Sequence, residues 1–397
     1  MPPVKVSQWL RGFTKDFSKG LRREFERIYG DDEKVIEERR DFYVKALSQF
    51  GKIFGFDAEV LIARAPGRVN VMGRHVDYMG GFVNPMATDT EIIALIQARD
   101  DDQVILHNMD PEFKAKGFRI GDELPEEKIR DLNHWDLWTA KKFKEKTARG
   151  EALDWDEYVK GLIVYLQDYY RKLDGSFTKR LKGINLLLGS NLPPRRGLSS
   201  SSALVVSIAL GIKGINDIRI PLGEFIDRVG YSEWYRLTRG ASADHAAIML
   251  SRRGHISHIS SLPTKAEDVT YAPFPEDYRV IVVSSGFERP QDEETRNYLR
   301  VTAAAYRLAL LLIKNSYPEY AEKLEWLRDV TTRNLGVGLA KIYEILKSLP
   351  EVIDRRGLRN RLAERYHPEL ETVFANHWEP RGGYKIRQMA LFGLAEA

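Results

Sequence analysis

The first fifty residues carry apolar side chains at a helical interval. Leu10, Phe13, Phe17, Leu21, Phe25 and Ile28 recur every three or four positions, which lays them along one face. The polar stretch "YGDD" interrupts that stripe, and the same spacing resumes from Val35 to Phe50. Residues 1–54 are therefore expected to form an N-terminal helical extension, a hairpin packed on the body of the protein. The period then changes. "AEVLIARAPG", "EIIALIQARDD" and "QVILHNM" are short β-rich runs closed by charged turns, and they read as strands. Residues 111–156 are polar and rich in Lys, Glu and Trp, which predicts an irregular excursion. "WDEYVKGLIVYLQDYYRKL" returns to helical spacing, with Tyr158, Leu162, Tyr165, Leu166 and Tyr169 on one side. "GINLLLGSNLPPRRGLSSSSALVVSIALGI" predicts strand, loop and helix in succession. "GHISHISSL" and "YRVIVVSSGF" are strand-like, and long helices are expected from about Asn297 onward. Strands early and helices late predict an α+β protein of two lobes.

Composition narrows the function classes. The 397 residues suffice for two ordinary domains and a substantial core. With 61 basic and 57 acidic residues the net charge is only +4, which argues against a dedicated nucleic-acid partner. There is no cysteine, so disulfides, thiolate nucleophiles and cysteine-based zinc sites are excluded. The N-terminus lacks the uninterrupted apolar run of a signal peptide. No stretch approaches the length of about 18 apolar residues that a membrane span needs. A cytoplasmic protein with no membrane partner is expected.

Three segments carry candidate chemistry. In "NLPPRRGLSSSSALVVSIAL" a loop of Pro and Gly leads through Ser199–Ser202 into an apolar helix. The first N–H groups of that helix lack intrahelical partners, and its dipole adds partial positive charge. Four hydroxyls at the same place make a phosphate cradle, and a serine there can ligate Mg2+. A serine N-cap is the plainer reading, and four serines after a Pro/Gly loop outweigh it. It is not a Walker loop, because no Gly-Lys-Ser/Thr occurs. In "RAPGRVNVMGRHVDYMGG", Gly67, Gly73, Gly80 and Gly81 permit close backbone approach or positive φ. His75 and Asp77 are two apart, so in extended backbone they point to one side, where alternating donors and acceptors suit a sugar. Asp244, in "TRGASADHAAIML", is either a helix cap or a carboxylate base aimed at a substrate hydroxyl. "HISHIS" sets His255 and His258 on opposite strand faces, poor geometry for a metal. "DRRGLRNRLAERYHP" reads as a solvated basic helix face.

Taken in order and spacing, these segments resemble the GHMP small-molecule kinase superfamily and, within it, the galactokinases. "APGRVNVMGRHVDYMGGFVNPMA" looks like the galactokinase signature Ala-Pro-Gly-Arg-Val-Asn-Leu-Ile-Gly-Glu-His-Thr-Asp-Tyr-Asn-Gly-Gly. "LPPRRGLSSSSAL" is similar to the phosphate motif Pro-x-Gly-x-Gly-Leu-Ser-Ser-Ser-Ala. "YVKGLIVYL", "GASADHAAIM", "VVSSGFER" and "LRDVT" are smaller echoes, and the resemblance spans roughly residues 55–397. It implies a GHMP-kinase fold of two α+β lobes with the active site in the cleft between them. The N-terminal lobe would run over 55–285 and the helical C-terminal lobe over 286–397. The implied reaction moves the γ-phosphoryl group of ATP to the anomeric hydroxyl of a small-molecule sugar. Carried over by position, Asp244 would orient or deprotonate that hydroxyl, and Arg68 would hold Asp244 ionised and stabilise phosphoryl charge. Gly197, Leu198, Ser199, Ser200 and Ser201 would wrap the phosphates, with Ser201 and Glu233 on Mg2+. His75, Asp77 and Tyr298 would face the sugar.

The departures from the family pattern matter as much. Arg74 stands where galactokinases carry glutamate, so a donor-only fork replaces an acceptor. Such a fork suits a carboxylate or phosphate, which brings a uronic acid or a phosphorylated sugar into consideration. Arg195 and Arg196 replace small residues of the phosphate loop, and the segment between Glu233 and Asp244 is shorter than usual. Asn297 falls where galactokinases place a sugar-contacting tyrosine, with Tyr298 beside it. The family's third, glycine-rich motif does not occur, and "RGGY" at Arg381 is no substitute. Either the sequence is part of a longer chain, or a second polypeptide completes the C-terminal lobe, or part of the catalytic apparatus is lost. Alternatives to galactose phosphorylation are a galactokinase-like sugar and ATP sensor, or a kinase for fucose, arabinose or a heptose phosphate.

Overall fold

The run Ile92–Ile96 is apolar at every position, which a strand tolerates only when both its faces are covered. In the computed structural model Ile92, Ala94 and Ile96 join one core while Ile93 and Leu95 join another. Ile184, Leu186 and Leu188 join the first core and Leu187 the second, the two-residue period of a strand sorting side chains to opposite faces. The structure describes residues 2–14, 17–73, 75–151, 154–237, 240–283, 285–287, 293–375 and 377–396, apart from the side chains of Glu293 and Arg296.

The order begins β1 (Val4–Lys5), α1 (Val6–Thr14), α2 (Lys19–Tyr29), α3 (Glu33–Phe54), β2 (Glu59–Met72), β3 (Phe82–Ala98), β4 (Gln103–Asn108) and β5 (Lys116–Arg119). It continues α4 (Ile120–Glu123), α5 (Leu132–Ala148), α6 (Asp156–Tyr169), β6 (Ile184–Ser190), α7 (Ser200–Ile215), α8 (Leu222–Ser232) and α9 (Ala243–Leu250). After β7 (His255–Ser260) and β8 (Thr270–Pro273) come α10 (Glu293–Ser316), α11 (Thr332–Leu335), α12 (Leu339–Ser348), α13 (Arg355–Arg361), α14 (His367–Ala375) and α15 (Ile386–Glu396). The chain divides into two compact units. The first comprises Met1–Val69, Met86–Ile256 and Tyr271–Val280; the second comprises Asn70–Pro85, Ser257–Thr270 and Ile281–Ala397.

In the first unit the strands lie in the order β1-β2-β3-β6-β4-β5. β3 runs antiparallel to β6, with Ala94 opposite Leu188, and β4 runs parallel to β6, with Leu106 opposite Leu186. Helices α6, α7 and α8 cover one face through Leu162, Val206 and Phe225. Helices α1–α3 cover the other through Phe13, Phe25, Leu47 and Phe50. The N-terminal helices, three rather than the expected hairpin, are therefore one wall of the core. They are also tied to the sheet by a buried carboxylate: Glu91 on β3 pairs with Arg64 on β2 and accepts from Tyr29, with Tyr43 at 3.5 Å.

In the second unit Leu308–Ile313 of α10 form a continuous buried run, preceded by the buried Ala304–Tyr306. Gly393 lets α15 approach so closely that a Cβ there would lie 2.4 Å from Met79 Sδ and 2.7 Å from Tyr306 Cε1. Phe82 and Val83 pair with Ser260 and Ile259 of β7.

Three expectations are corrected. Residues 111–156 are not irregular: they hold β5, α4 and the 17-residue α5. "YRVIVVSSGF" forms no strand over its described residues, and Ile281 and Val283 are 81% and 82% exposed. Beyond the 24-residue α10, the remaining helices are only 4–11 residues long. Among the described residues, no helix is long and apolar enough to cross a membrane.

One histidine makes the stability of the second unit pH-dependent. His377 is buried and hydrogen-bonded to Tyr384 Oη at 2.7 Å. Burial, followed by the nearby Arg355 charge, lowers its pKa from 6.5 to about 4. The neutral ring thus belongs to the folded state, so its stabilisation is complete above about pH 6.5 and is lost as pH falls through about 4. Chemical denaturation across that window should show falling stability in the unsubstituted protein and a flatter profile in His377→Gln. Equal slopes for both would remove His377 as the cause.

Candidate active site

The loop between β6 and α7 is held in unusual backbone. Arg195, Gly197 and Ser199 have φ of 59°, 76° and 56°. Gly197 adopts this left-handed region freely, whereas for Arg195 and Ser199 it costs roughly 1–2 kcal/mol each. The apolar α7 packs through Val205, Val206, Ile208 and Ala209, so its N-terminus is fixed by the core. Ser199 is its N-cap, but its side chain makes no capping hydrogen bond. A capping serine stabilises a helix by about 1 kcal/mol, so the hydroxyl has another use here.

That use is Asp244, the second residue of α9. Ser199 Oγ donates to Asp244 Oδ2 at 2.5 Å. Arg68 on β2 forks onto the same carboxylate, Nε to Oδ1 at 2.7 Å and Nη2 to Oδ2 at 2.6 Å. Its Nη1 donates to the Gly197 carbonyl at 2.9 Å, and its backbone N–H donates to the Leu198 carbonyl at 3.2 Å. Burial by itself would raise the Asp244 pKa. The Arg68 charge and the hydrogen bonds from Ser199 and Arg68 outweigh it, and the carboxyl is held below its ordinary range. Asp244 keeps a third of its side chain exposed, so it remains reachable. It is not the cap of α9; that position belongs to Ser242.

The N-terminus of α9 is itself braced. Ser242 donates to Asp227 of α8, and a Cβ on Gly230 would lie 2.9 Å from Ser242 Cα, so α8 and α9 meet there in close contact. His245 Nε2 lies 2.8 Å from Glu233 Oε1, and both residues are buried. Glu233 therefore sits beside the neighbour of Asp244 and bonds His245 through one oxygen. Ser200 and Ser201 are half-buried at the start of α7. Among the described residues, no group of three or more His, Cys, Asp or Glu could hold a metal ion. A cation here would have to draw on hydroxyl and single-carboxylate donors.

The sugar-facing candidates lie in the second unit. Gly73 at φ 81° and His75 at φ 66° turn the chain, and Asp77–Met79 form a 3-10 turn. The backbone at His75 and Asp77 is not extended, so the expectation that they share a strand face is corrected. The His75 and Tyr78 rings stack with centroids 6.3 Å apart. Arg328 fixes the turn, donating to the Gly80 carbonyl and, at 3.0 Å, to the Ser261 carbonyl. Asn297 is buried and exchanges two hydrogen bonds with the Trp378 backbone, at 2.9 and 3.2 Å, whereas Tyr298 is 70% exposed. Asn297 is thus a structural residue, and Tyr298 is the one open to solvent. Arg74 lies outside the described residues.

Sequence reasoning missed the Ser199–Asp244 bond, the Ser242–Asp227 bond and the bracing role of His245. None of these has a local pattern, since each joins residues from 12 to 45 positions apart.

The chain is similar to known proteins in two of its segments and in fold. Residues 157–252 match the GHMP kinases N-terminal domain, and residues 48–98 match the galactokinase galactose-binding signature. The chain is 29% identical over 280 residues to a galactokinase of Chloroflexus aurantiacus, covering 70% of this chain and 60% of that relative. It is 31% identical over 189 residues to a galactokinase of Schizosaccharomyces pombe, covering 46% of this chain and 33% of that relative. The matched parts thus span between a third and three fifths of those relatives' lengths. Lactococcus lactis galactokinase, solved with galactose, superimposes with a TM-score of 0.53 at 20% identity, covering 84% of this chain and 75% of that one. Residues 157–252 are thus similar to the GHMP kinases in sequence, and the fold is similar to that of a solved galactokinase. The chain also carries the galactokinase signature, and the resemblance implied by its motifs is borne out.

Gly67, next to Arg68, offers a direct test of the packing. A Cβ there would fall 2.6 Å from Leu192 Cδ1, 2.8 Å from Thr88 Oγ1 and 3.0 Å from the Leu198 carbonyl. The carbonyl is backbone and cannot yield without moving the loop. Gly67→Ala should therefore cost roughly 1–3 kcal/mol in chemical denaturation. Unchanged stability would show that β2 and the loop are not in this contact.

Proposed function

We propose that the protein transfers the γ-phosphoryl group of ATP to the anomeric hydroxyl of galactose. The observation that carries this reading is the Arg68 fork on Asp244, joined by Arg68 Nη1 to Gly197 of the phosphate loop. One arginine thus bridges a carboxylate of depressed pKa and the backbone that would wrap the phosphates. A carboxylate held ionised can receive the proton of an attacking hydroxyl. In the step, the sugar oxygen bonds to the γ-phosphorus, the bond from that phosphorus to the bridging oxygen of ADP breaks, and the hydroxyl proton passes to Asp244. Arg68 stays charged throughout and faces the charge that develops on the phosphoryl oxygens.

The remaining roles follow from chemistry and position. Gly197, Leu198, Ser199, Ser200 and Ser201 would cradle the phosphates through their loop and helix N–H groups and, at Ser200 and Ser201, through hydroxyls, the Ser199 hydroxyl being given to Asp244. The Ser201 hydroxyl and Glu233 would hold Mg2+. Their fit rests on donor chemistry, a serine hydroxyl and the buried Glu233 carboxylate, which meets His245 through Oε1. Mg2+ commonly takes one or two protein oxygens and completes its shell with phosphate and water. When bound it would supply neutralisation of phosphate charge. Arg74, His75, Asp77 and Tyr298 would recognise the sugar.

A coupled ADP-release assay over a panel of neutral and acidic sugars tests the reading. Turnover should be best with galactose, and Asp244→Asn should lower it by roughly 10²–10⁴-fold while the protein remains folded. Sugar binding without turnover on any sugar would replace the kinase by a binding protein of the sensor type. Preference for a uronate over galactose would move the substrate but leave the reaction.

A further inference from the structure

Ser199 occupies a position its local structure does not favour. It is a non-glycine residue at φ 56° and ψ 46°, and it stands at the N-cap of a 16-residue helix without capping it. Its hydroxyl goes instead to a carboxylate already held by a two-pronged arginine. Residues held in sparsely populated backbone persist where the surrounding structure over-determines them, and such positions concentrate at functional sites.

The geometry of the acceptor groups says what the extra bond achieves. An ionised carboxylate offers about four lone-pair positions, two on each oxygen. Arg68 takes one on Oδ1 through Nε and one on Oδ2 through Nη2. Ser199 takes the second on Oδ2. Oδ2 is then filled, and one position on Oδ1 remains. We propose that Ser199 is a positioning residue for Asp244: by occupying Oδ2 it leaves Oδ1 as the oxygen that receives the acceptor hydroxyl. This rests on the reading of Asp244 as the carboxylate that faces the acceptor. It differs from a phosphate-binding role, in which the serine would act on ATP and leave Asp244 alone. Without the serine, water or a misplaced acceptor can approach Oδ2, where proton transfer does not align with the phosphoryl group.

Two substitutions separate the hydroxyl from the backbone. Ser199→Ala removes the hydroxyl and keeps a side chain in left-handed conformation, whereas Ser199→Gly removes the hydroxyl and the steric cost together. Both should lower kcat for galactose phosphorylation about tenfold, the size expected for losing a hydrogen bond to a charged group. Both should leave the Kd for ATP, measured by calorimetry, within about twofold of the unsubstituted protein, because the affected group is Asp244. The fraction of ATP hydrolysed without sugar transfer should rise in both. Weaker ATP binding with kcat unchanged would make Ser199 a phosphate ligand and overturn the proposal. Recovery of kcat in Ser199→Gly after loss in Ser199→Ala would reduce it to backbone strain and overturn it equally. Asp244→Asn serves as the control for the underlying reading. If Asp244→Asn loses turnover while both Ser199 variants keep it, only this proposal fails. If Asp244→Asn retains full turnover, or the unsubstituted protein has none, the underlying reading fails with it.

Discussion

The pairing of Arg68 with Asp244 is the constraint on which the meeting of β2, the loop before α7 and α9 depends. A guanidinium with only 14% of its side chain exposed must have its donors answered, since burying an unpaired charge costs several kcal/mol. Here Nε, Nη1 and Nη2 reach three protein oxygens on two different segments. To satisfy them, β2, the loop before α7 and the start of α9 must come to one point. The two glycines flanking that point follow from it. Gly67 allows β2 to reach the Leu198 carbonyl, and Gly230 allows α8 to reach Ser242. A side chain at either place would push apart what the arginine holds together.

The same strand carries a second arginine with the same logic. Arg64, four residues before Arg68, pairs with the fully buried Glu91, which also accepts from Tyr29. That group ties the N-terminal helices to β2 and β3. Losing one partner of a buried pair strands the other, so such a cluster fixes geometry more surely than it adds net stability. The helices over residues 6–54 therefore support the strand that presents Arg68, and their contribution to the site is mechanical.

Much of this was legible in the chain, and the exceptions have physical reasons. Strands β3 and β6 are legible as short β-rich apolar runs closed by turns. The strand, loop and helix around Ser199–Ser202 were evident because Pro, Gly and Ser mark the loop and Ala, Val and Ile mark the helix. Helix α5 escaped because its buried face is mixed: Trp135 is buried along with Asp136, Thr139 and Lys146, the last against Glu157 and Tyr235 at 2.8 and 2.9 Å. A helix held partly by a buried ion pair has only a broken hydrophobic stripe to read. "YRVIVVSSGF" failed in the opposite way. Its β-branched residues favour a pleated, half-buried surface, but propensity supplies no neighbouring strand to pair with. His75 and Asp77 were assigned to one face on the premise of extended backbone, and the left-handed Gly73 and His75 break that premise.

The residues that bind the site together were the least legible, and the helix caps show why. Asp32, Asp131 and Asp354 begin α3, α5 and α13, and each accepts from the N–H groups of its own helix. Their role is local and can be inferred from spacing. Ser199 and Ser242 begin α7 and α9, the two helices that meet at Asp244, and neither makes a side-chain capping bond. Each gives its hydroxyl to a carboxylate elsewhere in the fold, Ser199 to Asp244 and Ser242 to Asp227. By sequence the five caps look alike. The difference lies in whether local stability or distant geometry claims the oxygen, and at a site where geometry must be held, the local preference yields. A serine cap that does not cap its own helix is therefore a more informative feature than the serine run itself, because there helix stability has been given up for a bond to a carboxylate elsewhere in the fold.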